Sequence, residues 1–97
     1  MDERTWERVR DVVASIPQGK VLGYGDVARH AGIRSARLVG RILAEDGADL
    51  PWHRVLRSDG TVAEQLRHHQ LERLRAEGVL ADGGRVDMAR HRWSPTP

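Results

Sequence analysis

Cysteine is absent from the chain. No disulfide, thiolate-bound zinc or thiol nucleophile is therefore available at any position. Lysine is nearly absent: Lys20 is the only one, and the remaining basic charge is arginine. Arginine suits bidentate phosphate contacts and stacking on bases. A GC-rich genome is the alternative explanation of the arginine-to-lysine ratio, but it does not explain a third gap. No acidic residue stands between Asp26 and Glu45, where Arg29, Arg34, Arg37 and Arg41 all lie. That segment carries +4, which leaves −2 for the rest of a chain whose net charge is +2. No apolar run approaches the length that crosses a bilayer. Asp2, Glu3 and Arg4 stand where a signal peptide would be apolar. The expectation is a cytoplasmic protein that meets no membrane.

What is present is enough for one small domain. The chain has 97 residues, 39% hydrophobic and 31% charged, which supports a modest core. No repeat, low-complexity segment or long linker divides it, so residues 1–97 read as a single domain. Trp6, Val9, Val13 and Ile16 follow helical spacing, with Val12 beside them, and predict a helix from Thr5 to Ser15. Pro17-Gln18-Gly19 breaks it, and Lys20-Val21-Leu22 is short and extended. Tyr24, Val27, Ala28 and Ala31 predict a second short helix, ended by Gly32. Ser35 is a good N-cap for a third, whose buried stripe is Val39, Ile42 and Leu43. Arg34, Arg37 and Arg41 fall on its outer side. Two short helices joined by a tight Gly-containing connection form a helix-turn-helix pattern.

Further on, Glu45 to Leu50 reads as an acidic loop. Val55-Leu56-Arg57 and Thr61-Val62-Ala63 flank Ser58-Asp59-Gly60 and predict a hairpin. A helix is expected from Glu64 to Ala76, with Leu66, Leu71 and Leu74 inward. Val79-Leu80 and Arg85-Val86 bracket Asp82-Gly83-Gly84 as a second small turn or hairpin. The tail, Trp93-Ser94-Pro95, is expected to fray at its tip. The fold class is thus mainly α with small β hairpins, a winged-helix-like helix-turn-helix domain.

By residue type alone, Trp52 is a core tryptophan beside a proline and Tyr24 a helix-start tyrosine packed on the core. Arg37 is then a solvated arginine touching a phosphate. Trp6 is core, and Trp93 is a C-terminal packing anchor. His68, His69 and His91 have no metal-ligand spacing, so a solvated helix face is the reading and no metal is expected. No serine is tied by a motif to His53 and Glu77, so a hydrolase is disfavoured.

Ordered blocks add more. Pro51-Trp52-His53-Arg54-Val55 resembles the Pro-Cys-His-Arg-Val signature of the O6-alkylguanine-DNA alkyltransferases, with tryptophan in place of the reactive cysteine. Ile16-Pro17-Gln18-Gly19-Lys20-Val21 and Tyr24-Gly25-Asp26-Val27-Ala28 are similar to earlier family blocks. Arg37-Leu38-Val39-Gly40 resembles the recognition-helix signature, and Arg75-Ala76-Glu77-Gly78-Val79 a late one. The resemblance spans most of residues 6 to 93 and points to the alkyltransferase-like branch. That branch resembles the C-terminal DNA-binding domain of the enzymes without its N-terminal partner.

The resemblance implies a function. The protein is expected to bind duplex DNA through the minor groove and to flip O6-alkylguanine without alkyl transfer. It is then expected to flag the lesion for nucleotide excision repair proteins. The expected DNA contacts are Tyr24, Arg34, Ser35, Ala36, Arg37 and Arg41. Small residues Ser35 and Ala36 allow close approach, and Arg37 enters the base stack. The expected lesion pocket is Tyr24, Pro51, Trp52 and Val55, with main-chain carbonyls near Trp52 and Val55 accepting from the guanine amino group. His53 and Glu77 correspond to a thiol-activating relay and are expected to be structural here. Two departures stand out. The loop after Gly60 is short, leaving Gln65 or Arg67 as candidates for the pocket lid. Glu45 and Asp46 replace an asparagine that supports the active-site loop. No cofactor is implied, and a monomer is expected. The rival reading is an ordinary helix-turn-helix regulator without lesion specificity.

Overall fold

A computed structural model describes residues 3–94. The expected fraying of the tail at Pro95 lies outside them. Helix α1, Glu3–Ser15, buries Val9 and Val13 and stops before Pro17. Strand β1, Leu22–Gly23, leads directly into α2, Tyr24–His30. Gly32 takes φ +76°, the left-handed conformation that ends the helix without a Cβ penalty. Helix α3, Ala36–Asp46, starts at Ser35, whose Oγ accepts from the Leu38 N–H at 3.1 Å. Its buried stripe is Val39 and Ile42, with Leu43 half-buried beside them.

Glu45 and Asp46 belong to the last turn of α3, not to a loop. Acidic residues are unfavourable at a helix C-terminus. Here Arg41 bonds Glu45 one turn along at 2.8 Å, and the Trp6 indole N–H donates to Asp46 at 2.8 Å. Arg10 adds a bond to the Asp46 carbonyl oxygen and an ion pair with Asp49 at 2.6 Å. Helix α1 thereby braces the end of α3, with Trp6 as a half-buried brace on the core margin.

The hairpin expected across Ser58-Asp59-Gly60 does not form. Strand β2, Val55–Leu56, pairs in parallel with β1, Leu22 opposite Val55 and Gly23 opposite Leu56. Both β2 residues are fully buried, as suits a strand covered on two faces rather than one arm of a surface hairpin. The turn closes instead through Arg57 N–H to Thr61 O at 3.0 Å and the Asp59 carboxylate on Thr61. Gly60, at φ +88°, lies so close to the Val86 backbone that a Cβ would collide with it.

The helix expected over 64–76 begins as a 3-10 turn, Glu64–Leu66, before α4, Arg67–Ala76. That change of pitch swings Leu66 off the buried stripe, so Leu74 is buried while Leu66 is 39% exposed. Strands β3, Ala81–Asp82, and β4, Arg85–Val86, form the second small hairpin around Gly83 and Gly84, with Ala81–Asp82 rather than Val79-Leu80 as its first arm. One further turn, α5, Met88–His91, is capped by Asp87 and was not expected.

The β1–β2 pair lies at a seam. Leu22 and Val55 join α1, α2 and α3 in one apolar cluster. Val21 and Leu56 join Val62, Leu74, Val79, Val86 and Met88 in a second. Trp93 packs on the first cluster, and its N–H donates to Val21 O at 2.8 Å. It is the packing anchor expected of it. No helix among the described residues is long and apolar enough to cross a membrane.

Candidate nucleic-acid interface and nucleotide pocket

Tyr24 is the first residue of α2, and its position is set by a buried carboxylate. Asp26 accepts from the Gly23 N–H at 2.8 Å and pairs with Arg29 at 2.6 Å and Arg92 at 3.2 Å. Burial pushes the Asp26 carboxyl up, but those three partners outweigh it and hold it below the usual range. The Tyr24 ring reaches α3 at Gly40, where Cε1 lies 3.9 Å from an ideally placed Cβ.

Tyr24 and Trp52 face one apolar pocket of about 330 Å³. The rest of its lining is Gly40, Leu43, Ala44, Gly47, Ala48 and Leu66. Gly40, Leu43, Ala44 and Gly47 recur at i, i+3, i+4 and i+7, so a single face of α3 forms a wall. Arg37 stands three residues before Gly40 on that face, one turn toward the helix start, and is exposed. Of the arginines in the acid-free segment, Arg29 pairs with Asp26 and Arg41 with Glu45. Arg34 and Arg37 are exposed and have no carboxylate partner among the described residues. Ser35 is exposed and Ala36 half-buried at the same helix start.

The structure does not bring Pro51 or Val55 into this pocket. Val55 is fully buried, and Pro51 opens on a separate hollow with Gln18, Asp49, His53 and Glu77. The Trp52 carbonyl accepts from the Val55 N–H, and the Val55 carbonyl from Gln70 Nε2 at 2.9 Å. Each carbonyl thus has one lone pair engaged already. Neither lid candidate lines the pocket; Leu66, between them, does. Gln65 is exposed, and the Arg67 guanidinium packs on Gly84.

Behind Trp52 the packing is polar and closed. Pro51 leads into a 3-10 turn, Trp52–Arg54, held by Gln70, whose Nε2 also donates to His53 O at 3.1 Å. Gln70 is 2% exposed, and nothing in the sequence pattern marks it except its interruption of an apolar stripe. The Trp52 ring is covered by Arg73, 5.5 Å from its centroid, and by the tilted ring of His69 at 5.7 Å. His68, the adjacent histidine, is exposed and lies 3.4 Å from Glu72, so the two diverge.

His53 Nε2 lies 2.7 Å from Glu77 Oε2. Arg54 clamps the same carboxylate at 2.7 to 3.2 Å, and the Gly19 N–H donates to it at 3.1 Å. Burial pushes the Glu77 carboxyl up, but bonds from Arg54, His53 and Gly19 outweigh it and bring the pKa to about 2. Burial holds His53 below the usual histidine value although Glu77 opposes that. Glu77 is therefore ionised and His53 neutral, in a chain that has no thiol. A larger groove of about 800 Å³ separates α4 from the β3–β4 hairpin. Its charged lining includes Glu64, Arg67, Glu72 and Arg75, and it takes in neither Tyr24 nor any residue of Pro51 to Val55.

Comparison with known proteins agrees with this fold. Residues 4–79 match the family described as 6-O-methylguanine DNA methyltransferase, DNA binding domain. The Escherichia coli DNA base-flipping protein is 46% identical over 96 residues, covering 91% of this chain and 73% of that protein. The Schizosaccharomyces pombe alkyltransferase-like protein 1 is 41% identical, covering 81% of this chain and 79% of that protein. The crystal structure of S. pombe Atl1 in complex with damaged DNA containing O6-carboxymethylguanine superposes with a TM-score of 0.83. It is 31% identical and covers 98% of this chain and 99% of that one. The chain belongs to the family of the 6-O-methylguanine DNA methyltransferase DNA-binding domain, among its alkyltransferase-like members.

Proposed function

We propose that this protein binds O6-alkylguanine in duplex DNA, flips the nucleotide into the Tyr24–Trp52 pocket, and holds it without removing the alkyl group. The observation that carries this reading is the pocket itself. An aromatic wall and a helix face meet beside the helix-turn-helix in an apolar hollow large enough for an alkylated base. Stacking on an aromatic wall is worth about 1–3 kcal/mol per base. Flipping costs a few kcal/mol, least where pairing is already damaged. The two magnitudes are close, so weakened pairing together with alkyl contact decides the balance.

The helix-turn-helix docks in the minor groove and the duplex bends. Ser35 and Ala36 allow close approach, Arg34 and Arg41 meet phosphates, and Arg37 fills the vacated stack. Tyr24 turns the nucleotide outward. His53 and Glu77 hold the loop that carries Trp52. The chain has no cysteine to accept the alkyl group. The lesion therefore stays in place for nucleotide excision repair proteins, and the protein acts as a binder rather than an enzyme.

The test is binding to matched duplexes carrying guanine or O6-methylguanine at one position. Tighter binding to the lesion at every salt concentration is expected. Equal affinity would leave a generic helix-turn-helix DNA binder instead. Protein mass and lesion should be unchanged after incubation; recovery of demethylated guanine would overturn the no-transfer reading.

A further inference from the structure

The parallel pairing of β1 with β2 has a geometric consequence at its far end. With Gly23 opposite Leu56, the next residues, Tyr24 and Arg57, leave the sheet from the same end and side by side. The turn after Arg57 closes tightly on that end, and a Cβ placed on Gly23 meets Ser58 Cα at 3.4 Å. Arg57 is exposed. Its guanidinium spends one N–H on a long bond to Val62 O, at 3.3 Å, and pairs with no carboxylate among the described residues. Its other N–H donors have no partner among the described residues and can meet an anion. The Arg57 charge also acts on the Tyr24 hydroxyl: burial pushes the phenol up, and Arg57 works against that. Both elements that meet at Tyr24 thus carry an uncommitted arginine, Arg37 on α3 and Arg57 at the strand end.

A nucleotide that turns out of the duplex takes its phosphate with it to the pocket mouth. We infer that Arg57 is a phosphate clamp for the flipped nucleotide, pairing with the backbone only when the base occupies the Tyr24–Trp52 pocket. This inference rests on the lesion-binding reading above. Arg57 lies outside the acid-free segment, so composition does not single it out.

The experiment compares wild type, Arg57→Gln and Arg57→Lys on the two matched duplexes, by fluorescence anisotropy across a salt series. The slope of log affinity against log salt is unaffected by any inactive fraction of protein. Arg57→Gln should make the slope shallower by roughly 0.9 on the lesion duplex. It should leave the slope on the undamaged duplex unchanged, and Arg57→Lys should restore the wild-type value. An equal change on both duplexes would make Arg57 an ordinary docking contact, and no change on either would remove it from the interface. Equal wild-type affinity for the two duplexes would show, before any variant is compared, that the lesion-binding reading had failed and the clamp with it.

Discussion

His53 Nε2 sits 2.7 Å from Glu77 Oε2, while Nδ1 on the opposite side of the same buried ring has no partner among the described residues. With Glu77 ionised, the proton belongs on Nε2, which leaves the Nδ1 lone pair inside the protein and unused. The Trp52 ring stands edge-on to His53, with centroids 6.2 Å apart. A proton-accepting edge is present, and the chain has no thiol for it to serve. Arg54 and Glu77 brace the Trp52 turn by tying it to Ile16 and Gly19.

That role predicts acid sensitivity. The Glu77 pKa falls from 4.5 to about 2 on folding. Its contribution to stability is therefore complete above about pH 4.5 and is lost as pH falls toward 2. His53 acts in the same sense at higher pH, since a lowered histidine favours the folded state only while neutral. Glu77→Gln should cost about 3 kcal/mol at neutral pH, because Arg54 loses its counter-charge in a largely buried site. It should also flatten the dependence of stability on pH below 4.5 by up to about 1.4 kcal/mol per pH unit. Urea unfolding across pH 2–7 reads both effects. An unchanged acid slope would assign the sensitivity to Asp26, the other buried carboxylate held low.

Trp52 carries the selectivity in the proposed function. Trp52→Ala should lose about 1–3 kcal/mol of preference for O6-methylguanine over guanine, and Trp52→Phe less. The side chain bears no charge, so the salt slope should stay near the −3 to −4.5 expected for roughly 3–5 phosphate contacts. A uniform loss of affinity on both duplexes would instead mark Trp52 as scaffold, held by Arg73 and His69.

Arg37 and Trp52 are separable on the same assay. Arg37 lies on the pocket face of α3, one turn before Gly40, and has no carboxylate partner among the described residues. If it fills the vacated stack, Arg37→Ala should weaken lesion preference more than it alters the salt slope. A slope loss near one unit with lesion preference intact would make it a phosphate contact and nothing more.

Legibility followed the range of the interactions. The stripe of α3, its Ser35 cap and the Gly32 stop are local, and they sit where the pattern of residues places them. The pairing of Leu22–Gly23 with Val55–Leu56 is not local, and two-residue strands are too short to show a period. A turn signal at Ser58-Asp59-Gly60 therefore read as a hairpin when it closes on Val86 instead. Gln70 was missed for the same reason: its two carbonyl partners, His53 in the 3-10 turn and Val55 in β2, lie 17 and 15 residues up the chain. Trp52 and Tyr24 could be named as pocket residues only through resemblance, because by residue type each reads as core.

Leu66 is one of the pocket residues that the sequence did not mark as such, and it offers a test of what the pocket accepts. It is 39% exposed and faces the hollow shared by Tyr24, Leu43 and Trp52, so its loss leaves no buried cavity. Leu66→Ala should therefore cost little stability. A methyl adduct held against Trp52 need not reach the rim, whereas a butyl adduct gains about 0.8 kcal/mol for each CH₂ it buries there. Shortening Leu66 should lower affinity for O6-butylguanine several-fold and for O6-methylguanine hardly at all. Competition binding with the two adducts in one duplex sequence decides it. Equal losses for both would place Leu66 in DNA docking, and no loss for either would mean that the alkyl chain points away from the 3-10 turn at Glu64–Leu66.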